Sequence, residues 1–382
     1  MVAFYLPMHT ATRLAVPVIA KVKRLNPRAH LCCFGLYAPL NERYLRSLGI
    51  ETIIGGEFEQ ELAAMSNRGS TLVPLDRLQF VTPDRSDLPP LSSYAQLRLN
   101  GTSKLVGYTE ATRGCKHLCR HCPIVPVYKG TFRVVQQNVV LADIRQQVAA
   151  GASHITFGDP DFFNGPAHSM KIVEALHEEF PGLTYDVTIK IEHLLEQSHL
   201  LERLKHTGCL LVTSAVESLD DRVLEKLDKG HTRADFIAAA GLLHSIGLTL
   251  APTFIAFTPW TTRESYRELL ATIAELGLIE NVAPIQLALR LLIPAGSLLL
   301  GLEEIRHVIE GYDEQALLHR WRHPDPAIDE LGSEAMRIAG ASANRSEAFA
   351  NLWSLVSTEP LYENRDLIAR AAIPYMDEPW YC

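Results

Sequence analysis

The chain has 382 residues, a formal net charge of −8, 47% hydrophobic residues and 21% charged residues. This composition suits one large globular domain or two to three smaller ones, and the acidic balance argues against a nucleic-acid-binding or anionic-membrane-binding surface. The first residues lack a charged region followed by a long apolar run, so no signal peptide is predicted. The most apolar window, Leu287–Leu302, is interrupted by Arg290, Pro294 and Gly296 and is not expected to span a bilayer.

Residues 1–70 are predicted to form a small, doubly wound α/β domain, because short apolar runs alternate with amphipathic ones. The predicted elements are strands at Val2–Leu6, His30–Tyr37 and Thr52–Ile54, and helices at Thr10–Leu25 and Glu57–Met65. Residues 71–104 contain several prolines and little periodicity, and they are predicted to be a linker arm.

Residues 105–300 are predicted to form a partial (β/α)6 barrel of the TIM type, because strand and helix patterns alternate six times. The predicted strands are Leu105–Arg113, His154–Asp159, Thr184–Glu192, Cys209–Glu217, Thr249–Phe257 and Pro284–Pro294. Residues 301–382 are predicted to be a helical C-terminal extension that ends in a cysteine-bearing tail. Parallel barrels carry their chemistry at the carboxyl ends of the strands, so functional side chains are expected there.

Cys115, Cys119 and Cys122 form a CxxxCxxC pattern in the loop after the first barrel strand. Thiolates are soft ligands that suit iron, and three of them on a four-iron cluster leave one iron open. The alternative is a zinc site completed by His117 and His121, although zinc usually takes four ligands at paired spacings. Clustered cysteines indicate metal binding or catalysis sooner than a disulfide, and a reducing cytoplasm is the expected location.

This spacing resembles the signature of the radical SAM superfamily. The resemblance implies a [4Fe-4S] cluster held by the three cysteines, with S-adenosylmethionine (SAM) bound at the fourth iron and cleaved reductively. It also implies a small-molecule substrate and an electron donor such as flavodoxin or ferredoxin. His121 stands where the superfamily usually has an aromatic residue, a departure that bears on packing beside the adenine.

The same resemblance implies SAM contacts after the second and third strands. Gly158, Asp159 and Asp161 lie where the superfamily binds the SAM amino group, and an ordinary Asp-Pro turn is the alternative. Lys190 and Glu192 flank one residue, so within a strand they would face the same side and could form an ion pair that contacts SAM. As helix-start residues outside the lumen they would have no such role.

Further SAM contacts are implied on the fourth and sixth strands. The run from Ala215 to Thr232 resembles cobalamin-type and methylthiotransferase-like radical SAM proteins, which implies roles for Ser214 and Glu217. Ile293 lies in a segment that resembles the one whose backbone holds the adenine, and core packing is the alternative.

The N-terminal domain resembles a shortened cobalamin-binding domain. The Asp-x-His-x-x-Gly motif of such domains is missing, and His9 lacks the flanking Asp and Gly. Cobalamin is therefore predicted to be an unlikely cofactor.

The last ten residues, ending in Cys382, resemble the tail of the CUAEP/CCAEP-tail radical SAM (seleno)protein family, in which Cys or selenocysteine and then Ala-Glu-Pro follow. Either this member has lost that ending, or a UGA codon read as stop follows codon 382. Cys382 is predicted to be catalytic, on a tail that folds over the barrel mouth. A soft nucleophile there could hold a thiophilic acceptor.

The expected activity is reductive SAM cleavage with transfer of a SAM-derived group, 3-amino-3-carboxypropyl being the first candidate, to a small and thiophilic substrate. An alternative is modification of a small metabolite or peptide by a 5′-deoxyadenosyl radical. From another class, the chain could be a non-catalytic iron–sulfur or zinc-binding protein.

Overall fold

The computed structural model describes residues 1–64, 71–342, 344–360 and 372–377. Residues 2–72 contain a sheet of four parallel strands, β1 (Val2–Tyr5), β2 (Leu31–Phe34), β3 (Thr52–Ile54) and β4 (Thr71–Leu72). The helices between them are α1 (His9–Leu25), α2 (Tyr37–Leu40), α3 (Glu42–Ser47) and α4 (Glu59–Ala64). A small apolar core that includes Leu6, Ile19 and Ile53 lies between sheet and helices.

The four strands follow one another across the sheet in the order β1-β2-β3-β4. A doubly wound sheet reverses direction near its centre, and this one does not. The predicted parallel α/β arrangement is thus present, but each crossover adds the next strand at the same edge, so the predicted double winding is absent from the described sheet.

The central element is a curled sheet of seven strands in the order β12-β11-β10-β9-β6-β5-β15. Its five parallel strands are β6 (Thr102–Thr109), β9 (His154–Phe157), β10 (Thr184–Thr188), β11 (Cys209–Glu217) and β12 (Thr249–Phe254). The edge strands are β5 (Gln96–Leu99) and β15 (Tyr375–Met376), and a separate short pair is β7 (Thr112–Gly114) with β8 (Phe132–Val134). This sheet confirms the predicted α/β half-barrel.

The helices of the barrel segment lie between these strands in the chain. They are α5 (Val125–Tyr128), α6 (Gln137–Ala149), α7 (Pro166–Glu179), α8 (Ile191–Glu196), α9 (Leu201–His206), α10 (Asp221–Leu227), α11 (Arg233–Ile246) and α12 (Arg263–Glu275). The largest apolar core joins sheet and helices and includes Phe157, Tyr185 and Phe254, each at most 1% exposed.

The sixth predicted strand, Pro284–Pro294, is not a strand in the structure. Its first residues form a 3-10 helix, Pro284–Leu287, and the rest pairs with the end of the fifth parallel strand only through one parallel bridge between Phe257 and Arg290. Proline has no backbone N–H to donate, and the two prolines at the ends of this segment limit the ladder. The sixth position of the barrel is therefore filled by extended chain.

The linker arm contains a strand that was not predicted. β5 pairs antiparallel with β6 from Gln96–Leu105 to Leu99–Thr102, and the turn between them is Asn100-Gly101, both with positive φ. Asn-Gly is a strong signal for a hairpin turn, because both residues tolerate left-handed backbone. The hairpin extends the barrel sheet beyond its first parallel strand.

The C-terminal extension contains helices α13 (Glu303–Val308), α14 (Pro326–Ala341) and α15 (Arg345–Ser354), as predicted, and also a hairpin of β13 (Ile309–Asp313) and β14 (Leu318–Trp321). Ile, Tyr and Trp in these short runs favour strands over helix, which accounts for this departure from an all-helical extension. Within the described residues, every helix is too short or too polar to cross a membrane.

Candidate metal centre at the carboxyl ends of the barrel strands

The three cysteines lie in one loop whose ends are held together by the β7–β8 pair. Gly114 pairs with Phe132 across that pair, so the 17 intervening residues form a closed excursion. Gly114 has φ +75, and a Cβ there would lie 2.4 Å from the Tyr128 ring and 2.6 Å from the Thr131 carbonyl oxygen. Only glycine fits this position, which directs the chain into the loop at Cys115.

Arg120 fixes the middle of this loop, which we call the Cys loop (residues 115–131). Its backbone N–H donates to the carbonyl of Leu227 at 2.9 Å, and its guanidinium donates to the carbonyls of Glu225 and Lys226, each at 2.9 Å. The hydroxyl of Ser297 donates to the Arg120 carbonyl at 2.8 Å. The loop is thus anchored to the end of α10 and to the segment after the sixth strand position.

The three thiols share one environment. Cys119 is 7% exposed, while Cys115 and Cys122 are partly exposed. Burial raises the pKa of Cys122 to about 12, and the neighbouring Cys119 and Cys115 thiols act in the same direction. Metal binding must therefore displace protons from these sulfurs, because the thiolate is the ligand.

The three sulfurs do not form a compact set in the structure. In the described part of the chain, the only three-residue set with ligand atoms all within 4.8 Å of one another is His117, Asp161 and His193, so at least two of the three sulfurs are farther apart than that. Such a separation is compatible with a multi-iron cluster, in which each thiolate binds a different iron. His117 Nε2 lies 3.2 Å from His193 Nε2, and His121 Nε2 lies 3.1 Å from Glu217 Oε1. Both histidines thus contact other side chains, which disfavours a zinc site that they complete together with the cysteines.

Asp159 holds the segment that leads into the Cys loop. It is 2% exposed, and its two carboxylate oxygens accept from the Ala111 N–H at 2.9 Å and the Thr112 hydroxyl at 2.6 Å. Burial raises the pKa of Asp159 to about 7, against the effect of these hydrogen bonds. Its oxygens are thus engaged within the chain, which is a positioning arrangement.

Gly158 lies against an aromatic side chain. A Cβ at Gly158 would lie 1.8 Å from the hydroxyl oxygen of Tyr108, so the glycine makes room for that ring. The space that a side chain at position 158 would need is therefore occupied by Tyr108.

Lys190 and Glu192 form the predicted ion pair, with Nζ 3.0 Å from Oε2. The strand ends at Thr188, so both residues belong to the start of α8 and not to a strand end. Lys190 is 8% exposed, and Glu192 Oε2 lies 3.7 Å from His117 Nδ1 on the Cys loop. Although Lys190 and Glu192 lie at the start of a helix, the pair is still beside the Cys loop.

Glu217 ends β11 at a register shift, with φ +68, and lies in a second ion pair. Its Oε1 is 3.1 Å from His121 Nε2 and 3.2 Å from Lys229 Nζ. Burial would raise the pKa of Glu217, but Lys229 and His121 outweigh it and hold that pKa at about 2. A non-glycine residue in the left-handed region is a sparse conformation that is found preferentially at functional sites.

Two further predicted residues are buried and hydrogen-bonded within the chain, and their roles toward SAM stay predictions. The Ser214 hydroxyl is fully buried and donates to the Ile189 carbonyl at 2.6 Å. Ile293 is fully buried in an apolar cluster with Leu291 and Trp321, and its carbonyl accepts from the His319 N–H at 2.8 Å. Cys382 lies outside the described residues.

Several residues at the centre were not singled out from the sequence. Asn164 Oδ1 accepts from the Lys116 N–H at 3.2 Å, and Lys229 is 4% exposed beside Glu217. His231 is 7% exposed, and neither ring nitrogen makes a well-aligned hydrogen bond within the described chain. Burial, with Lys229 and Lys190 nearby, lowers the pKa of His231 to about 4. Lys229 and His231 lie in the run already noted after Glu217, but their burial has no sequence signal.

The N-terminal sheet domain contacts the same end of the barrel. Glu57 is 1% exposed, accepts from the Tyr128 hydroxyl at 3.0 Å and lies 3.5 Å from Arg113, which precedes the Cys loop. His9 Nε2 lies 2.6 Å from the carbonyl oxygen of Ala316 in the C-terminal hairpin. His9 Nε2 is thus engaged within the chain, and the prediction against cobalamin stays a prediction.

The barrel lumen contains a cavity of about 880 Å³. Its walls include Thr156, Asp186, Thr188 and Thr213 from three adjacent strands, and the described C-terminal segment Ile373–Met376 lies at its side. This volume is within the range of small-molecule pockets.

A parallel half-barrel with a three-cysteine loop at the carboxyl end of its first strand defines a class of iron–sulfur proteins. The model of the radical SAM superfamily matches residues 109–274, the segment that contains the Cys loop. The match implies that the chain binds a [4Fe-4S] cluster and SAM.

The chain is similar in sequence to two curated relatives and in fold to one solved structure. Bacteriochlorophyllide d C-12(1)-methyltransferase of Chlorobaculum tepidum is 27% identical over 55% of this chain and 47% of its own. Hopanoid C-3 methylase of Methylococcus capsulatus is 25% identical over 50% of this chain and 37% of its own. The chain therefore spans half or less of these relatives.

The solved structure is OxsB, a cobalamin-dependent SAM radical enzyme with aqua-cobalamin bound. It superposes with a TM-score of 0.68 at 14% identity, over 87% of this chain and 57% of its own. This likeness concerns the fold.

Proposed function

We propose that this protein is a radical SAM enzyme that binds a [4Fe-4S] cluster through Cys115, Cys119 and Cys122. The observation that carries the proposal is the Cys loop, closed by β7 and β8 and placed after the first strand of the half-barrel. The superfamily match over residues 109–274 supports it independently. A separation above 4.8 Å between at least two of the three sulfurs is compatible with a cluster, in which each thiolate binds a different iron.

When bound, the cluster and SAM supply an electron and a sulfonium whose carbon–sulfur bond can break to give a carbon radical. The chain's own part is to hold and orient. Two ion pairs, Lys190–Glu192 and Lys229–Glu217, lie beside the Cys loop, and their charges complement the amine and carboxylate of SAM. Asp159 keeps the entry to the loop in place through Ala111 and Thr112.

The reaction that we propose is transfer of a SAM-derived group, with 3-amino-3-carboxypropyl as the first candidate, to a small thiophilic substrate. A methyltransferase and a methylase among the relatives support group transfer in general. The lumenal cavity has room for a small molecule, with threonines and Asp186 as polar contacts. An electron donor such as flavodoxin or ferredoxin belongs to the same proposal.

The tail that ends in Cys382 is proposed to present a soft nucleophile that holds the thiophilic acceptor at the barrel mouth. Met376 pairs with Leu97 and Tyr375 with Arg98, so β15 runs antiparallel to β5 and in the same direction as the barrel strands. The chain therefore leaves the described residues at Asp377 heading toward the carboxyl ends, where the Cys loop lies. This direction supports a tail that reaches the barrel mouth.

The test is anaerobic SAM cleavage by the cluster-loaded protein with dithionite, with the fragments identified by mass. Methylthioadenosine would mark formation of the 3-amino-3-carboxypropyl group, and 5′-deoxyadenosine would mark the alternative reaction. A variant with Cys115, Cys119 and Cys122 replaced by alanine is the control and should cleave no SAM. A protein that carries a full cluster and cleaves no SAM, or that is purified with zinc at the three thiols, would contradict the proposed enzyme.

A further inference from the structure

The Cys loop lies beside a second group of metal-ligand side chains. His117, Asp161 and His193 come from the loop, the end of the second parallel strand and the first turn of α8. Asp161 and His193 are 0% and 1% exposed, and the ligand atoms of all three residues lie within 4.8 Å of one another. The sequence separations among them give no motif, so the fold alone assembles this group.

The two buried members are close but are not joined by a hydrogen bond. His193 Nδ1 lies 2.6 Å from Asp161 Oδ2, yet the two atoms are not aligned for a hydrogen bond, and neither has another such partner in the described structure. A buried carboxylate oxygen and a buried imidazole nitrogen that make no hydrogen bond are costly, and a metal ion bound by both groups would satisfy them.

The third member lies close to both buried members. His117 Nε2 lies 3.8 Å from Asp161 Oδ2 and 3.2 Å from His193 Nε2, whereas the His193 nitrogen next to Asp161 is Nδ1. Ligand atoms about 2.0–2.1 Å from a tetrahedral zinc ion are roughly 3.3 Å apart, so the His193 ring has to turn until one of its nitrogens faces an ion shared with His117 and Asp161.

The atoms that face away from this triangle are also engaged. Glu192 Oε2 lies 3.7 Å from His117 Nδ1 and is itself held by Lys190 at 3.0 Å. Asp161 Oδ1 accepts from the Phe163 N–H at 3.1 Å. A carboxylate behind a ligating histidine, and a hydrogen bond on the free oxygen of a ligating aspartate, are the usual supports of a metal site.

We propose that His117, Asp161 and His193 bind a single divalent first-row transition ion, separate from the iron–sulfur cluster. Two histidines and one carboxylate suit zinc or iron(II), and three protein ligands leave a position open for water or for an oxygen, nitrogen or thiolate group of a substrate. Asp161 is then a metal ligand, in place of the contact to the SAM amino group that the sequence suggested. The site gives the enzyme a means of holding a substrate beside the cluster.

The test uses the full chain with its cluster reconstituted anaerobically, incubated with one equivalent of Zn²⁺ and desalted. Iron and zinc are then counted per chain in the wild type, in His193→Gln and Asp161→Asn, and in His199→Gln as an exposed control near His193. Zinc is a sensitive probe of the site, because it binds such ligands more tightly than Fe²⁺ does. We expect about one zinc per chain in the wild type and the control, and at least ~10-fold weaker binding in the two ligand variants.

Equal zinc in the wild type and the ligand variants, or no retained zinc in the wild type, would overturn the proposal. The readout does not depend on SAM cleavage, so failure of the proposed enzyme activity would be seen separately. If a ligand variant also loses iron, the absorption spectrum of Co²⁺ bound to the wild type identifies the ligands. Weak bands typical of nitrogen and oxygen ligands support the proposed site. A thiolate-to-cobalt charge-transfer band would instead assign the metal to the cysteines and overturn the proposal. Glu192→Gln, which leaves the three ligands intact, should weaken zinc binding by about 10-fold.

Discussion

Lys229 donates to Glu217 across 3.2 Å at the end of the fourth parallel strand, and their side chains are 4% and 10% exposed. The pair is buried next to the Cys loop, because His121 of that loop contacts the same carboxylate oxygen. Removal of one partner would leave a buried charge with only His121 to compensate it.

Lys229→Met is therefore expected to destabilise the protein by about 3 kcal/mol, since a buried charge loses its partner. Lys226→Met is a matched control, because the Lys226–Glu304 pair is 35% and 48% exposed and such pairs contribute below about 1 kcal/mol. Urea unfolding of both variants measures the difference. Equal free energies of unfolding for the two variants would show that the buried pair contributes no more to stability than the exposed pair.

The stability of the protein should depend on the ionisation of Glu217. The pKa of Glu217 is about 2 in the fold, lower than the ordinary value of 4.5. A depressed carboxyl pKa stabilises the fold above the unfolded value, and this contribution is lost as the pH falls from about 4.5 to about 2. The difference in free energy of unfolding between the wild type and Glu217→Gln should shrink over that range. A difference that is constant from pH 6 to pH 3 would contradict this assignment.

The described end of the tail should be released when its ion pair is removed. Arg98 holds Asp377 through two guanidinium nitrogens at 2.9 and 2.7 Å. Arg98→Ala should speed deuterium exchange at the amide of Asp377, which donates to the Gln96 carbonyl at 2.9 Å. Arg145→Ala removes a comparable surface pair with Glu179 and should leave that exchange unchanged.

Deletion of residues 376–382 extends this prediction to the reaction. SAM cleavage should persist, because the Cys loop is intact, while transfer to substrate should be lost. Unchanged substrate turnover after the deletion would show that Cys382 is not needed.

Cobalamin binding can be tested directly. Protein mixed with aqua-cobalamin and desalted is expected to retain no corrin, because the ligand motif is missing and His9 Nε2 is engaged with Ala316. Absorbance of the desalted protein measures this. Stoichiometric corrin that disappears in His9→Ala would show instead that the N-terminal domain is a working cobalamin domain, as its likeness in fold to OxsB would then suggest.

Much of the barrel could be predicted from local patterns. β11 runs from Cys209 to Glu217 as expected, since an apolar run between helix patterns marks a buried strand. The Cys loop was found because its three ligands are close in sequence. The β5–β6 hairpin was missed although Asn100-Gly101 marks it, because the proline-rich arm around it was taken as irregular.

The candidate centre could be predicted only in part. Lys190 and Glu192 are neighbours in sequence, and their ion pair was anticipated. Lys229 meets Glu217 only because α10 returns the chain to the strand end, and such a return depends on tertiary packing. Ser214 and Ile293 are predicted from resemblance alone; in the structure Ser214 makes a hydrogen bond within the chain and Ile293 packs in an apolar cluster, and their roles toward SAM stay predictions.

The central claim is that three thiols of one loop hold an iron–sulfur cluster. Its most direct test is the iron content of anaerobically reconstituted protein in which Cys115, Cys119 and Cys122 are replaced by alanine, beside a control with alanine at the buried Cys32, Cys33 and Cys209. We predict that the first variant loses its iron and the thiolate–iron absorbance near ~400 nm, and that the control keeps both. Undiminished iron in the first variant would contradict the account.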